Sequence, residues 1–211
     1  MAPTNLTPRA AAERQANNER MVHADFDLAP FTIAWEVTRA CAYACVHCRA
    51  DAQHTRDAHE LSTDEAKALI ERLAGLRCSL TPTATALPTV ERLNKAREAG
   101  IRRVALSLDA PRPEVHDDFR KVPGSWQRTM DILHRAHDVG LSVQVNTTVA
   151  KHNVEILHEM VPFLQEVGAV QWSVFFLVPT GRAMAEQMIS AEQHESVFNW
   201  LYDLSQNAPF D

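Results

Sequence analysis

The stretch Arg103-Val-Ala-Leu-Ser-Leu-Asp109, then Ser125-Trp-Gln-Arg-Thr-Met-Asp-Ile-Leu-His-Arg-Ala-His-Asp-Val139, then Gly140 and Leu141-Ser-Val-Gln-Val-Asn-Thr-Thr-Val149, decides the fold. The outer segments alternate with period two, apolar at Val104, Leu106 and Leu108 in one and at Val143 and Val145, with Thr147, in the other. The middle segment has a helical period, and Gly140 stops it. Strand, helix and strand at this spacing form a βα unit that feeds a parallel sheet.

The same alternation extends outward. Phe31-Thr-Ile-Ala-Trp-Glu-Val37 is β-branched and aromatic and predicts a first strand. Ser62-Thr-Asp-Glu65 is a capping box that opens a helix with Ala66, Leu69, Ile70 and Leu73 on one face. Cys78 to Thr81 predicts a short strand, with Cys78 as a small buried residue. A helix follows from Thr89 to Gly100. Asn153 predicts the cap of a helix ending near Gly168 that Pro162 kinks. Val170 to Val178 predicts the last strand, and Ser190-Ala-Glu-Gln193 opens the last helix. The fold class is therefore α/β, with five βα units.

Composition sets the outer limits. The chain has 211 residues, 45% hydrophobic and 23% charged, with 21 Lys+Arg against 27 Asp+Glu. That suits one globular domain and gives no positive field for nucleic acid or an anionic membrane surface. The longest purely apolar run, Val174 to Val178, is far short of the ~20 residues that span a bilayer. Residues 1–28 lack an apolar secretory core and read as a mobile arm before a domain at 29–211; the expected compartment is cytoplasmic. Glycine occurs 6 times, where average usage would give about 15. Cysteine occurs 4 times, three of them within eight residues.

Those three, in Cys41-Ala-Tyr-Ala-Cys45-Val-His-Cys48, follow the first predicted strand, at the carboxyl edge where parallel α/β sheets bind ligands. Three thiolates on one short loop can ligate an iron–sulfur cluster and leave one iron open to chelate a small molecule. Two other readings use the same residues: a zinc site with His47 or His54 as fourth ligand, or a redox pair of Cys45 and Cys48.

Trp35-Glu-Val-Thr-Arg-Ala-Cys41-x3-Cys45-x2-Cys48 resembles the signature of the radical S-adenosylmethionine (radical SAM) enzymes, in particular the SPASM-like branch of peptide-modifying and haem-biosynthesis-related members. The resemblance implies a partial (βα) barrel of five units where the family has six. It implies a [4Fe–4S] cluster on Cys41, Cys45 and Cys48, and S-adenosylmethionine cleaved reductively to a 5′-deoxyadenosyl radical that abstracts a substrate hydrogen. It places Ser107 and Asp109, Asn146 and Thr147, the turn Val178-Pro-Thr-Gly-Arg-Ala183, and His47 around S-adenosylmethionine. His116-Asp-x-x-Arg120 resembles the segment before the next family helix, with a solvated loop as the competing reading. Flavodoxin or ferredoxin is the implied electron donor, and a peptide or tetrapyrrole-like molecule the implied substrate class.

One part of the pattern is missing. The family's second strand ends in Gly-Gly-Glu or Gly-Gly-Asp, and no glycine pair exists in this chain. Gly75-Leu-Arg77 joins the first helix directly to the strand at Cys78, so a βα unit is expected to be deleted near residues 75–77, and S-adenosylmethionine cleavage is expected to suffer. No auxiliary-cluster cysteines follow the core in this sequence.

Overall fold

Leu106, Val143 and Val145 have no solvent exposure, and the strands that carry them form the centre of the molecule. The computed structural model describes residues 33–72 and 78–211, with the isolated positions Pro8, Ala12, Gln15, Glu19, Asp25 and Asp27. The strands are β1 (Ser79–Leu80), β2 (Arg103–Ser107), β3 (Ser142–Val149) and β4 (Gln171–Phe176), parallel and in that order across the sheet. The α-helices are α1 (Thr63–Arg72), α2 (Val90–Glu98), α3 (Pro113–Arg120), α4 (Ser125–Asp138), α5 (Met160–Glu166) and α6 (Ala191–Ser205). This is the α/β class read from the alternation, and α4 and β3 fall where their periodicity placed them.

Side-chain parity divides the sheet into two faces. Val104 and Leu106 of β2, with Val143, Val145 and Thr147 of β3 and Trp172 of β4, are all buried. Burial of each large apolar side chain on this face is worth about 1.5–3 kcal/mol. The opposite face is polar. Ser107 is in register with Asn146, and Asn146 with Ser173; one step back, Gln144 faces Gln171. The Gln144 amide donates to Asn146 Oδ1 at 2.8 Å and to Ser173 Oγ at 3.0 Å, so this half-buried face holds a hydrogen-bonded polar row.

Helix ends follow local chemistry. Ser62 and Glu65 form the reciprocal box, the Glu65 amide donating to Ser62 Oγ at 3.3 Å and the Ser62 amide to Glu65 Oε2 at 2.8 Å. Thr89 caps α2 through the Arg92 amide, and Ser190 with Gln193 repeats the box at α6.

Five expectations are corrected. Residues 33–37 form no strand, and Ile33 and Val37 are 42% and 55% exposed. A strand exists only against a neighbour's backbone, and among the described residues the segment's one pairing is the parallel bridge Ala40 to Gln53 just beyond it. The sheet therefore has four described strands, not five. His116 to Arg120, for which a solvated loop was the competing reading, lie in helix α3, where Pro113 occupies a first-turn position at which its missing N–H costs nothing. Asn153 does not cap a helix; its amide donates to Asp109 O at 2.7 Å and Thr148 O at 2.9 Å, and the chain continues as a 3₁₀ turn, Val154–Glu159, into α5. Cys78 is exposed, since it precedes a strand of only two residues at the sheet's edge. The arm at 1–28, the connection at 75–77 and Phe31-Thr32 lie outside the described residues, apart from the isolated positions named above.

Candidate metal and cofactor site

The loop bearing Cys41, Cys45 and Cys48 is anchored from several sides. The Cys41 amide donates to Gln53 O at 2.8 Å and the Gln53 amide to Arg39 O at 2.9 Å, which closes the loop at its base. The Tyr43 hydroxyl donates to Ala84 O, tying the loop to the segment after β1. The Val46 amide donates to Phe119 O at 3.3 Å. From the turn after β4, Arg182 donates through its amide to Cys48 O and through Nε to Cys45 O, each at 3.1 Å.

None of the three cysteines is in a disulfide, and each sulfur meets a donor. The Tyr43 amide donates to Cys41 Sγ and the Ala52 amide to Cys48 Sγ, each at 3.4 Å; Arg120 Nη1 lies 3.9 Å from Cys45 Sγ. Burial pushes the Cys45 thiol up, against the pull of Arg120. N–H groups aimed at sulfur favour thiolate and are a standard device for tuning iron–sulfur centres. Among the described residues no three His, Cys, Asp or Glu side chains are gathered tightly enough for a metal ion. Three thiols on one short loop, each meeting an N–H donor, are the donor type that an iron–sulfur cluster takes.

Behind Cys45 lies a buried ion pair. Asp109 has no exposure, and its Oδ2 accepts from Arg120 Nε at 2.6 Å while Oδ1 accepts from the Thr148 amide at 3.1 Å. Burial pushes the pKa of this carboxyl up, but the charge of Arg120, the neighbouring His47 and His116 and the Arg120 hydrogen bond outweigh it and hold the pKa at about 2. His116, also buried, accepts the Asp109 amide at Nδ1 at 3.1 Å, so it is neutral, its pKa pushed down by burial to about 4.

Over this pair sits a stack of three rings. His47 and Phe119 are parallel within 3° at 3.9 Å, and Phe119 lies 3.6 Å from His152 on its other side. Burial depresses the pKa of His47 to about 3 and of His152 to about 4. His47 Nδ1 and both ring nitrogens of His152 are buried without a hydrogen-bond partner. Sequence reasoning missed His152 and Phe119; the period from His116 to Phe119, with Pro113 opening a helix, was the available signal.

The residues expected around S-adenosylmethionine separate by parity. Ser107 and Asn146 sit side by side on the polar face of the sheet. Thr147 points the other way, fully buried, donating to Leu108 O at 2.7 Å and accepting from Trp172 Nε1 at 2.8 Å. Val178 is 61% exposed beyond β4. The following turn, Thr180-Gly-Arg-Ala183, packs on the cysteine loop.

Residues 72–165 match the profile of the Radical SAM superfamily. The AdoMet-dependent heme synthase of Oleidesulfovibrio alaskensis is 39% identical over 203 residues, covering 81% of this chain and 52% of the relative. The chain belongs to the radical SAM superfamily. Radical SAM family members use a [4Fe–4S] cluster and S-adenosylmethionine. The AdoMet-dependent heme synthase of Methanosarcina barkeri is 34% identical, covering 85% of this chain and 60% of the relative. Mycofactocin maturase MftC of Mycolicibacterium smegmatis is 26% identical, covering 82% and 52%. Among solved radical SAM-like folds, Streptococcus suis SuiB superposes with a TM-score of 0.58 at 18% identity, over 81% of this chain and 46% of that one. This chain thus spans about half the length of the curated relatives it matches. No described helix is long and apolar enough to cross a membrane.

Proposed function

We propose that this radical SAM chain binds a [4Fe–4S] cluster through Cys41, Cys45 and Cys48 and holds S-adenosylmethionine against the polar face of its sheet. The observation that carries the reading is the cysteine loop itself, with three reduced thiols, each facing an N–H donor. When bound, the cluster supplies the electron that cleaves S-adenosylmethionine reductively, giving a 5′-deoxyadenosyl radical for hydrogen abstraction. This chain's own residues bind and orient. Ser107 and Asn146 offer polar contacts from adjacent strands, and the proposal adds the His47 ring and Val178 to the same site. Asp109 and Thr147 support that surface from beneath, Asp109 by fixing Arg120 beside Cys45 and Thr147 by joining β2, β3 and Trp172.

A tetrapyrrole-like substrate is the reading that the heme synthase relatives favour, with a peptide second on the maturase relative. A flavodoxin- or ferredoxin-type protein is the proposed electron donor, and the cytoplasm the proposed compartment. We assign residues 29–211 to one core and 1–28 to an arm preceding it. We place a missing unit near residues 75–77 because the helix opened by Ser62 runs there directly into the strand at Cys78 without a glycine pair. Loss of that unit removes the glycine-pair strand from the S-adenosylmethionine site, so turnover is expected to be weak or nil while cluster binding survives.

Anaerobic incubation with iron and sulfide tests the cluster. A brown protein with broad absorption and equal iron and sulfide is expected, and Cys45→Ala should lose it. Zinc without sulfide in the purified chain, or full cluster absorption in Cys45→Ala, would overturn the reading. Production of 5′-deoxyadenosine under reduction tests catalysis separately.

A further inference from the structure

The turn after β4 and the cysteine loop lie more than a hundred residues apart in sequence and touch along their backbones. Arg182 makes four hydrogen bonds into the loop. Its amide donates to Cys48 O at 3.1 Å, Nε to Cys45 O at 3.1 Å, Nη1 to Ala52 O at 3.1 Å, and Nη2 to Tyr43 O at 3.4 Å. The acceptors span residues 43 to 52, so one guanidinium gathers carbonyls from both limbs of the loop. Gly181 makes the approach possible. It sits at φ +61, and a methyl built there would strike the Cys48 carbonyl oxygen and lie 2.8 Å from that of Arg49. The loop between these acceptors has no helix or strand of its own. Its shape depends on what its carbonyls bond to.

We propose that Arg182 is a positioning residue for the cysteine loop: its fork fixes the main chain at Cys45 and Cys48, and so sets where those two sulfurs stand as cluster ligands. Planar geometry serves this role, because three nitrogens spread over one rigid fork meet three separate carbonyls, whereas an ammonium offers its three donors from a single compact nitrogen. Arg182 touches no sulfur and acts through the backbone. The proposal rests on the cluster-ligand reading of the three cysteines, and its first test does not.

In the metal-free chain, iodoacetamide labelling read peptide by peptide compares Cys45, which is buried, with exposed Cys78 as reference. In Arg182→Gln the Cys45 to Cys78 labelling ratio is expected to rise about tenfold, the factor by which loss of one net hydrogen bond shifts a local opening. Gly181→Ala keeps the guanidinium but forces the turn off the loop, and should raise the ratio similarly. Arg182→Lys should give an intermediate ratio and is decisive if Arg182→Gln does not fold. After anaerobic loading, the lysine variant should hold less iron and show an altered electron paramagnetic resonance line shape in the reduced state. A ratio within twofold of wild type in the folded variants, or wild-type loading and line shape in Arg182→Lys, would overturn the proposal. Loss of protection in the variants with no cluster in wild type would instead overturn the cluster reading and leave the clamp standing.

Discussion

Arg120 donates from Nε to Oδ2 of Asp109 at 2.6 Å, with the carboxylate wholly buried and the guanidinium side chain 13% exposed. The pair joins the end of α3 to the segment after β2, and the same guanidinium faces Cys45 Sγ. Removing one partner strands the other charge. Asp109→Asn, which keeps the shape and deletes the charge, is expected to cost about 3–5 kcal/mol. Combining Asp109→Asn with Arg120→Met should cost less than the sum of the two single effects, because the double variant leaves neither charge of the pair buried alone. Urea denaturation of the four proteins of this cycle checks the prediction; additive losses would count against it.

Acid should destabilise the protein in two successive windows. His47, His116 and His152 have folded pKa values of about 3, 4 and 4, below the ordinary 6.5. The unfolded chain therefore takes up protons first. Their contribution is complete above about pH 6.5 and declines as pH falls toward about 4, at up to about 1.4 kcal/mol per pH unit for each histidine. Asp109, held at about 2 against an ordinary 3.8, contributes above 3.8 and loses that contribution as pH falls toward 2. Melting temperatures between pH 7 and pH 5 should fall, and His152→Phe should flatten the slope by about one proton of three. An unchanged slope would place His152 in water.

Residues 33–37 accept no ladder, and their amides should show it. Hydrogen exchange in this segment is expected within about tenfold of the unprotected rate, whereas Val145 of β3, in register with Leu106 on one side and Trp172 on the other, should exchange only on global unfolding. Strong protection at Ile33 or Val37 would mean that the segment finds a strand partner in solution.

That segment also shows what a sequence does and does not reveal. β2, β3, α4 and the caps at Ser62, Thr89 and Ser190 were legible because each is decided by residues a few positions apart. Phe31 to Val37 has strand composition, but composition does not supply a neighbour. The cysteines were legible from spacing alone. Their surroundings were not: nothing near His152 in the sequence marks it as a neighbour of the cysteine loop until α3 brings Phe119 within 3.6 Å of its ring, and α3 falls where a solvated loop was the competing reading. Asn153 has cap chemistry, yet a buried Asp109 carbonyl offers its amide a better partner than solvent does. Arg182 is marked in the sequence only as part of a turn near S-adenosylmethionine, and the tertiary approach at Gly181 reveals its acceptors.

Parity on β3 gives the sharpest separation of fold from site. Asn146 and Thr147 are adjacent polar residues in one strand and face opposite ways. Thr147→Val removes the hydroxyl that joins Leu108 O to Trp172 Nε1 and leaves that indole N–H buried without an acceptor. A loss of about 1–3 kcal/mol in urea denaturation is expected, with S-adenosylmethionine affinity of the folded, loaded protein little changed. Asn146→Ala removes an acceptor of the Gln144 amide, which keeps Ser173 Oγ at 3.0 Å, so stability should change by less than about 1 kcal/mol. Its effect belongs to the ligand: the dissociation constant for S-adenosylmethionine, measured by equilibrium dialysis on cluster-loaded protein, should rise about tenfold, the size of one lost hydrogen bond. If Thr147→Val weakens binding and Asn146→Ala does not, the ligand lies on the other side of the sheet from the one proposed.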